Sequence, residues 1–581
     1  MEKMEGEISF KTSGFRGIVS LMFWRKNYII VLILILASFL RLYKIWDYMT
    51  FLGDEGRDVL VAKDILNGNL TLLGPRSSAA DFFYGPIYYY LITPFLWLFR
   101  MDPVGPAVMV ALIGIATVFL VYLVGKKFFG EKAGLIAALL YAISPLVISY
   151  SRSSWNPNPL PFVSLLSMYI LYLGVMQRSW KKIFIVGILL GIAMQLQYVS
   201  MFLAVIIVLF LFLVNIIKKY KVISLVRSYL VLGTGFLIGF SPFLAFEVRH
   251  GFPNIKTIFS FIFASATGEA GSVTEMDNMN FTQRVNDVFF RVFARLVFRY
   301  PPPEQVSIAE SLELRLWQIG IILVAFTSLY VLVKHKDRLQ SLLLLLWFVL
   351  GVAFFGFYKD SIYDYHFGFM FTVPFLLIGN LLSKTNLKTI QFGVLWYVIG
   401  VVVLYNLSLP SQFALHIALL LSLPLLIFAN LTRNINKEYL FSLLCGVVLF
   451  TTVAINLYGY PFASAANRQK DQVRQISEFV LSKTGGKPFN FALLTLGNSD
   501  HAYRYYLEIN NRPPVVIENV IKDPKRNSVT EQLLIVCEDP NCQPLGASLW
   551  EVAGFGRAEI VGEWNVSVVK VFKLVHYQGE D

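Results

Sequence analysis

Charged residues are scarce in this chain of 581 residues: Asp, Glu, Lys and Arg make up 15% of it, against roughly 25% in soluble domains. Hydrophobic residues make up 56%, and the mean hydropathy is +0.61. These values require a lipid bilayer as the solvent. Histidines are also few, and the six present are scattered without metal-ligand spacing, so we expect no zinc site. A Gly-rich phosphate-binding loop of the nucleotide type is absent too, which disfavours a nucleotide-sugar substrate.

The formal net charge of +13 is typical of nucleic-acid binders, but its distribution indicates something else. The basic residues form short clusters between long apolar runs, which is a signal of membrane topology. We therefore expect no nucleic-acid partner. Residues 1–27 mix acidic and basic side chains and precede no small-residue cleavage pattern, so the first span is predicted to be retained.

Apolar runs long enough to cross a bilayer predict about thirteen transmembrane helices. Every second connecting segment is rich in Lys and Arg, which predicts that these segments and the N-terminus are cytoplasmic. The fold class is therefore a polytopic α-helical membrane protein of the cell (plasma) membrane. The predicted spans lie near 28–45, 104–124, 133–150, 160–176, 183–198, 200–217, 228–246, 315–333, 340–357, 366–382, 389–405, 412–430 and 438–456.

The segments predicted outside the cell include two long loops, 46–103 and 247–313, and a tail. The predicted division is a cytoplasmic N-terminus (1–27), a transmembrane domain (28–456) and an external soluble α/β domain (457–581). In the tail, a charged amphipathic stretch at 468–483 and β-like runs at 489–495, 533–537 and 566–574 predict a mixed sheet with helices. Cys537 and Cys542 flank a turn-forming segment, and both a disulfide and free thiols remain open.

The densest group of charges outside the predicted spans follows the first span, in the segment from Gly53 to Asp58. A short connection holds Asp54 roughly at headgroup depth. A carboxylate there can take a proton from an acceptor hydroxyl, while Arg57 neutralises charge on a departing phosphate. The alternative is that Asp54, Glu55 and Arg57 only form the solvated start of a loop helix.

Asp54-Glu55-Gly56-Arg57 after the first span, followed by an aromatic-Pro-aromatic start of the second, resembles the membrane-embedded class C (GT-C) glycosyltransferases. The nearest branches are the protein O-mannosyltransferases and the lipid A aminoarabinose transferases, in glycosyltransferase family 39, and the likeness covers essentially the whole chain. The resemblance implies a polyprenyl-phosphate sugar donor, inversion at the anomeric carbon and Asp54 as the base. It also implies a hexosyl- or pentosyltransferase.

The chain departs from those relatives at two places. Gly85 stands where the aminoarabinose branch has a Lys, so Arg76 or Lys359 is a candidate replacement for the missing phosphate-binding cation. Asn156 and Asn158 lie where relatives often place an Asp; an amide can hydrogen-bond a sugar but cannot act as a base. A Pro-rich turn without a role in binding is the alternative for that loop.

Two further external segments carry candidate residues, around Glu247 and Arg249 and around Tyr365 and His366. Anchoring at the membrane interface is the alternative for each. If the topology holds, all these clusters lie on one face of the membrane, as a shared site requires. The candidates are catalytic Asp54 and Glu55; donor phosphate-binding Arg57, Arg76, Arg152, Lys359 and His366; and substrate-binding Tyr84, Asn156, Glu247, Arg249 and Tyr365.

The expected function is transfer of a sugar from a polyprenyl-phosphate carrier to a protein, lipid or glycan acceptor outside the membrane. A transporter or lipid flippase is the main alternative, and a non-catalytic member that uses its tail as a binding module is another. Asp54, Glu55 and Asp58 could supply oxygen ligands to a divalent cation, although the number of carboxylates is low for a dedicated site. The sequence identifies neither the sugar, the acceptor nor the oligomeric state.

Overall fold

The computed structural model describes residues 28–77, 81–267, 279–298, 312–358, 361–384, 446, 449, 452, 453, 456, 457, 460–539 and 541–579. Two predicted spans, 389–405 and 412–430, most of a third, 438–456, and Lys359 lie outside the described residues.

The described residues before 385 are mostly helical, and their apolar helices pack through one extended hydrophobic core. Among the described residues, short 3₁₀ turns and a π-helical turn, Arg291–Arg295, interrupt the series of α-helices. The helices are α1 (Tyr28–Leu42), α2 (Ile45–Tyr48), α3 (Gly53–Leu66), α4 (Ile87–Leu98), α5 (Val104–Phe129), α6 (Glu131–Ile143), α7 (Pro145–Tyr150), α8 (Leu160–Met176), α9 (Trp180–Leu196), α10 (Met201–Ile217), α11 (Val222–Gly239), α12 (Ser241–His250), α13 (Pro253–Thr267), α14 (Phe281–Phe290), α15 (Leu296–Phe298), α16 (Leu312–Val333), α17 (Arg338–Phe354) and α18 (Val373–Ser383).

Four stretches among the described residues are long and apolar enough to cross a membrane. A fifth is a bent pair, Asp364–Met370 with Val373–Ser383, whose axes differ by 58°. Shorter apolar helices occur at three of the other predicted spans, including α1 and α8. A fourth, α4 (Ile87–Leu98), lies within the segment 46–103 that was predicted to be an external loop. A polytopic helical membrane protein is thus confirmed, while the number thirteen stays a prediction. The four long stretches are Val104–Phe129, Tyr198–Ile217, Val222–Gly239 and Arg338–Phe357.

The span predicted at 133–150 is two helices, because Pro145 cannot continue the hydrogen bonding of α6. Pro145 instead opens α7 at a position where its missing N–H is not needed. The Ser144 side chain accepts a hydrogen bond from Val147 N–H (3.4 Å) and caps the new helix. The chain therefore changes direction just before the loop that holds Arg152 and Asn156.

The C-terminal part forms a four-stranded mixed sheet in the order β1-β2-β4-β3. β1 (Asn490–Leu494) pairs in parallel with β2 (Gln532–Cys537); β4 (Val569–His576) lies antiparallel to β2 and to β3 (Ala558–Val566). The helices of this part are α19 (Gln469–Lys483), α20 (His501–Ile509) and α21 (Trp550–Ala553).

A disulfide joins Cys537, the last residue of β2, to Cys542, with Cα atoms 5.9 Å apart. Cys537 belongs to a second, smaller core on the side of the sheet next to α21. The two cysteines are five positions apart in the sequence, and the disulfide constrains the turn that follows β2.

The sheet domain packs directly on the first loop of the membrane part. Arg468 N–H donates to Asp47 O (2.9 Å), and the Lys470 ammonium lies 3.1 Å from the Asp102 carboxylate. Side chains of α19, β1 and α20 join the same extended core as the membrane helices. The largest contact between the sheet domain and the membrane part is that of α20 with α3, the helix that begins with the predicted catalytic segment.

Candidate active site

Helix α3 begins at Gly53, directly after the extended residue Leu52. Glu55, in the first turn, folds back so that its Oε2 accepts a hydrogen bond from Leu52 N–H (3.0 Å). Its Oε1 accepts from the Ser153 hydroxyl (3.3 Å), and the residue is buried. Burial raises the pKa of this carboxyl. The structure thus places Glu55 as a helix cap and a link to the Ser153 loop, away from the cavity described below, rather than in the catalytic position predicted for it.

Arg57 lies between two carboxylates of the same helix. Its Nη1 is 2.7 Å from Asp54 Oδ1, and its Nε and Nη2 donate to Asp58 Oδ1 at 3.0 and 2.7 Å. Asp58 is fully buried, and burial raises its pKa to about 7 although the guanidinium of Arg57 acts in the opposite direction. Asp54, by contrast, has 53% of its side chain exposed. The buried acid therefore orients the arginine, and the exposed acid faces open space.

That open space is a cavity of about 420 Å³. It lies where α3, the 74–84 hairpin, the 155–157 loop, the end of α9 and the turn before α18 meet. Six of the twelve predicted site residues line it: Asp54, Arg57, Arg76, Tyr84, Asn156 and Tyr365. The remaining lining residues are Pro75, Ser77, Trp155, Pro157 and Gln197. Sequence positions up to 311 residues apart along the chain (365 − 54) thus meet at one site.

Arg76 contributes the second cation of the cavity. Its backbone pairs with Phe83 in an isolated antiparallel bridge, and Ser77 N–H donates to Phe82 O (2.8 Å). Its guanidinium lies 2.9 Å from Asp81, with both side chains largely exposed. Exposed pairs of this kind contribute little, about 0–1 kcal/mol, so Arg76 can exchange Asp81 for another anion.

Packing at the start of α4 explains why no lysine stands at position 85. A Cβ at Gly85 would lie 2.3 Å from Gln195 Cγ and 2.5 Å from its Oε1. Gln195 is fixed there because its Oε1 accepts from Ile87 N–H (3.2 Å) and its Nε2 donates to Gly239 O (2.6 Å). The glutamine side chain takes the space that a longer residue at position 85 would need.

The wall opposite α3 is aromatic and amide-rich. The Tyr84 hydroxyl donates to Gln197 Oε1 (2.9 Å), and Asn156 Nδ2 donates to Leu196 O (2.7 Å). The rings of Trp155 and Tyr365 meet edge to face with centroids 4.5 Å apart. Trp155 and Gln197 were not among the predicted site residues, although Gln197 is conspicuous as a polar residue at the end of an apolar run. Flat apolar faces beside amides are suited to a sugar ring.

Arg152 does not reach the cavity, contrary to its predicted phosphate-binding role. Its guanidinium donates to the carbonyls of Leu40, Arg41 and Tyr43 at 2.9–3.0 Å, which are orphan acceptors at the end of α1. Phe462 covers it, with the ring centroid 5.1 Å away. Arg152 therefore caps a helix C-terminus, where a cation is favourable.

Glu247 and Arg249 are also placed elsewhere than predicted. The buried Glu247 carboxylate accepts hydrogen bonds from Asn254 N–H (3.3 Å), Asn254 Nδ2 (2.6 Å) and Ile255 N–H (3.0 Å). Asn254 Oδ1 in turn accepts from Phe83 N–H (2.9 Å), so Glu247 supports the hairpin that presents Arg76. Arg249 is exposed near the end of α12 and does not line the cavity.

His366 is buried behind the cavity, and its Nδ1 accepts from Tyr363 N–H (3.3 Å). The same turn is held by Asp364, which pairs with Arg291 (2.6 Å) and Arg295 (3.0 Å). Neither arginine was predicted to have a role, because they lie more than 60 positions earlier in the chain, in a segment without a motif. Together these contacts fix the turn that carries Tyr365 into the cavity.

Among the residues that the structure describes, no three His, Cys, Asp or Glu side chains gather as metal ligands. The predicted oxygen donors Asp54, Glu55 and Asp58 face the cavity, the Leu52 backbone and Arg57, respectively. They do not form a common site for a divalent cation.

Comparison with known proteins shows similarity in a sequence segment and in the fold. Residues 84–246 match the family model of dolichyl-phosphate-mannose-protein mannosyltransferases. Two Bacillus subtilis (strain 168) proteins named as candidate mannosyltransferases, YycA and YkcB, are 28% and 26% identical over 221 and 225 residues, 36% and 35% of this chain. The chain spans about 30% of the length of these curated relatives.

The crystal structure of ArnT from Cupriavidus metallidurans bound to undecaprenyl phosphate has a similar fold over 94% of this chain and 98% of that one. The TM-score is 0.56 and the sequence identity is 14%. This likeness shows that the chain has the fold expected from its sequence, the GT-C fold of polytopic membrane proteins. More narrowly, residues 84–246 are similar in sequence to the dolichyl-phosphate-mannose-protein mannosyltransferases, which agrees with the resemblance to glycosyltransferase family 39 seen in the sequence.

Proposed function

We propose that this protein is an inverting glycosyltransferase that moves a sugar from a polyprenyl-phosphate carrier to an acceptor hydroxyl on the external face of the cell membrane. The observation that carries the proposal is the placement of one exposed carboxylate, Asp54, and two arginines, Arg57 and Arg76, around one cavity walled by aromatic and amide side chains. The names of the matched family and of the Bacillus relatives support mannose as the first sugar to test.

The cavity offers each group that such a transfer requires. The acceptor oxygen attacks the anomeric carbon, the bond from that carbon to the phosphate oxygen breaks, and the acceptor proton passes to the Asp54 carboxylate. The carrier leaves as polyprenyl phosphate, whose charge Arg57 and Arg76 neutralise. The sugar is held against the wall formed by Tyr84, Trp155 and Tyr365.

The ion pair between Asp54 and Arg57 fits this order of events. Arg57 Nη1 lies 2.7 Å from Asp54 Oδ1. The donor phosphate is a diester with one negative charge and two non-bridging oxygens, so it competes with Asp54 for Arg57. When the bond to the sugar breaks, the carrier becomes a phosphomonoester with more charge and three terminal oxygens, which draws Arg57 further from Asp54. The Asp54 carboxylate then becomes free to accept the proton of the incoming hydroxyl.

The external location has two supports. The basic loops predict it from the sequence. The disulfide between Cys537 and Cys542 belongs to the domain that packs on α3, and such bonds persist in oxidising compartments outside the cytoplasm. Both observations support a domain and a cavity that lie on the same side of the membrane, outside the cell.

The test is to incubate the purified protein with radiolabelled undecaprenyl-phosphate mannose and cell-envelope extract, and to measure release of the carrier phosphate. Asp54→Asn is expected to reduce the rate by about 10²–10⁴. The matched control is Asp64→Asn, because Asp64 lies in the same helix with 54% of its side chain exposed, nearly the value for Asp54. The Asp64→Asn protein is expected to transfer sugar at the parent rate. Equal rates for parent and Asp54→Asn would refute Asp54 as the base. Movement of label into sealed vesicles without carrier release would favour a transporter or flippase.

A further inference from the structure

The contact between α3 and α20 is closer than ordinary helix packing. A Cβ at Gly53 would lie 2.0 Å from the Ser499 hydroxyl oxygen, and one at Gly56 would lie 2.2 Å from the backbone nitrogen of Ala502. Only glycine allows this approach. The two glycines, one turn apart on α3, form a seat for the start of α20, next to the face that carries Asp54 and Arg57.

Asn498, just before α20, makes the specific connection across this seat. Its Oδ1 accepts hydrogen bonds from Gly53 N–H and from Ser499 N–H, both at 2.9 Å. The Gly53 N–H is one of the four amides at the start of α3 that have no partner within the helix. The sheet domain thus supplies the partner for the amide that immediately precedes Asp54.

The carboxamide of Asn498 is itself held in one orientation by Glu538. Asn498 Nδ2 donates to Glu538 Oε1 (3.0 Å) and Oε2 (3.2 Å). The hydroxyls of Tyr503 and Thr495 also donate to Glu538, each at 2.8 Å. Glu538 directly follows Cys537, where the disulfide pins the chain. Since three donor groups make four hydrogen bonds to one carboxylate, Asn498 has little freedom to turn away.

The far end of α3 is tied to the same helix of the sheet domain. The Lys63 ammonium, in the last turn of α3, pairs with the Glu508 carboxylate near the end of α20. The two helices are therefore joined at both ends, and α3 cannot shift along its axis without breaking one of these links. The position of Asp54 depends on the sheet domain as well as on the membrane helices.

We propose that Asn498 and Glu538 are positioning residues for catalysis: through the Gly53 amide they hold the first turn of α3, and with it Asp54, in the orientation needed to accept the proton of the acceptor. This rests on the proposed function, and it makes the C-terminal domain part of the active-site structure. A displacement on the order of 1 Å at a reacting group can cost about 100-fold in rate.

The test is an exchange of the two side-chain types. Asn498→Asp keeps an acceptor for Gly53 but sets two carboxylates against each other, so the loop is expected to move off the seat. We expect kcat to fall by up to about 100-fold with undecaprenyl-phosphate mannose, and the donor KM to change far less. In the double variant Asn498→Asp/Glu538→Gln the carboxylate and the carboxamide change places, and most of the rate is expected to return. Asn527→Asp, at an exposed asparagine of the same domain, serves as the control for an added charge.

A readout independent of transfer accompanies the rates. Amide hydrogen exchange of residues 52–57, followed by mass spectrometry, is expected to speed up in Asn498→Asp and to return toward the parent value in the double variant. A folded Asn498→Asp protein with the parent kcat, or a double variant as slow as the single one, would overturn the proposal. If the parent protein transfers no sugar, the proposed function fails, while the exchange experiment still decides whether Asn498 holds the first turn of α3.

Discussion

The guanidinium of Arg57 donates two hydrogen bonds to a single oxygen of Asp58, a carboxyl that is fully buried. The other oxygen, Oδ2, has no hydrogen-bond partner within the described residues. Asp58 therefore has one oxygen engaged by the arginine and one that can carry a proton. On its buried side, the orientation of Arg57 depends on this contact with Asp58.

Transfer is expected to rise with pH across neutrality because of this pair. Burial raises the pKa of Asp58 from 3.8 to about 7, so the carboxyl gains a proton below pH 7 and its hold on Arg57 weakens. The folded protein keeps this proton between about pH 4 and 7 while the unfolded chain releases it, so this group makes the fold less stable as pH rises through that window. Asp58→Asn should raise the donor KM and remove the acid limb from a profile measured between pH 5.5 and 8.5. The same acid limb in Asp58→Asn would show that another group titrates.

Arg76 and Asp81 should change donor binding in opposite directions. Removing the cation in Arg76→Gln loses a charged hydrogen bond worth roughly 1.5–3 kcal/mol, and should raise the donor KM about 10-fold or more. Asp81→Asn frees Arg76 from its exposed partner and should lower the donor KM, by up to about fivefold. Initial rates against donor concentration measure both. A KM unchanged in Arg76→Gln would remove this residue from the phosphate site.

The packing of Gly85 against Gln195 gives a prediction about coupling. Gly85→Ala places a methyl group within 2.3 Å of the glutamine side chain, and overpacking of this kind destabilises by about 1–3 kcal/mol. Gln195→Ala removes the atoms that the new methyl group meets. Thermal unfolding in detergent should therefore show a smaller loss for Gly85→Ala in the Gln195→Ala background than in the parent. Equal losses in both backgrounds would contradict the packing described here.

The seat formed by Gly53 and Gly56 should not accept a side chain. Gly56→Ala brings Cβ within 2.2 Å of the Ala502 backbone, which cannot rotate away, so both the unfolding temperature and the transfer rate should fall. Gly233→Ala is the matched control, since this helical glycine has no neighbour within 4 Å of its added Cβ. That substitution should leave the fold unharmed or slightly stabilise it, because alanine favours helix by about 1 kcal/mol. A Gly56→Ala protein as stable as the parent would contradict the close packing of α3 against α20.

Much of the fold follows from local sequence. The apolar runs at 104–124 and 200–217 correspond to α5 and α10, and the amphipathic stretch at 468–483 corresponds to α19. Predictions failed where a single residue redirected the backbone, as at Pro145. The strand β3 was missed because its exposed, mixed composition lacks a regular alternation.

Sequence analysis singled out polar residues next to a membrane span, and three of them, Asp54, Arg57 and Arg76, line one cavity in the structure. Their roles in transfer stay predictions. Sequence could not separate these residues from buried polar groups of similar type, such as Arg152 and Glu247, which satisfy backbone atoms at helix ends. That distinction depends on which orphan carbonyls and amides lie nearby, and these come from distant parts of the chain.

The glycine seat also restricts how this protein can diverge. Backbone-to-backbone contact leaves no side chain on α3 at Gly56 that could be adjusted to a different surface. A foreign domain grafted after residue 456 would need a helix that starts with the same shape, and a relative with larger residues on α3 would need a different helix in its place. The membrane part and the C-terminal domain are therefore expected to be inherited as a matched pair, and recombination between distant paralogues should yield inactive chimaeras.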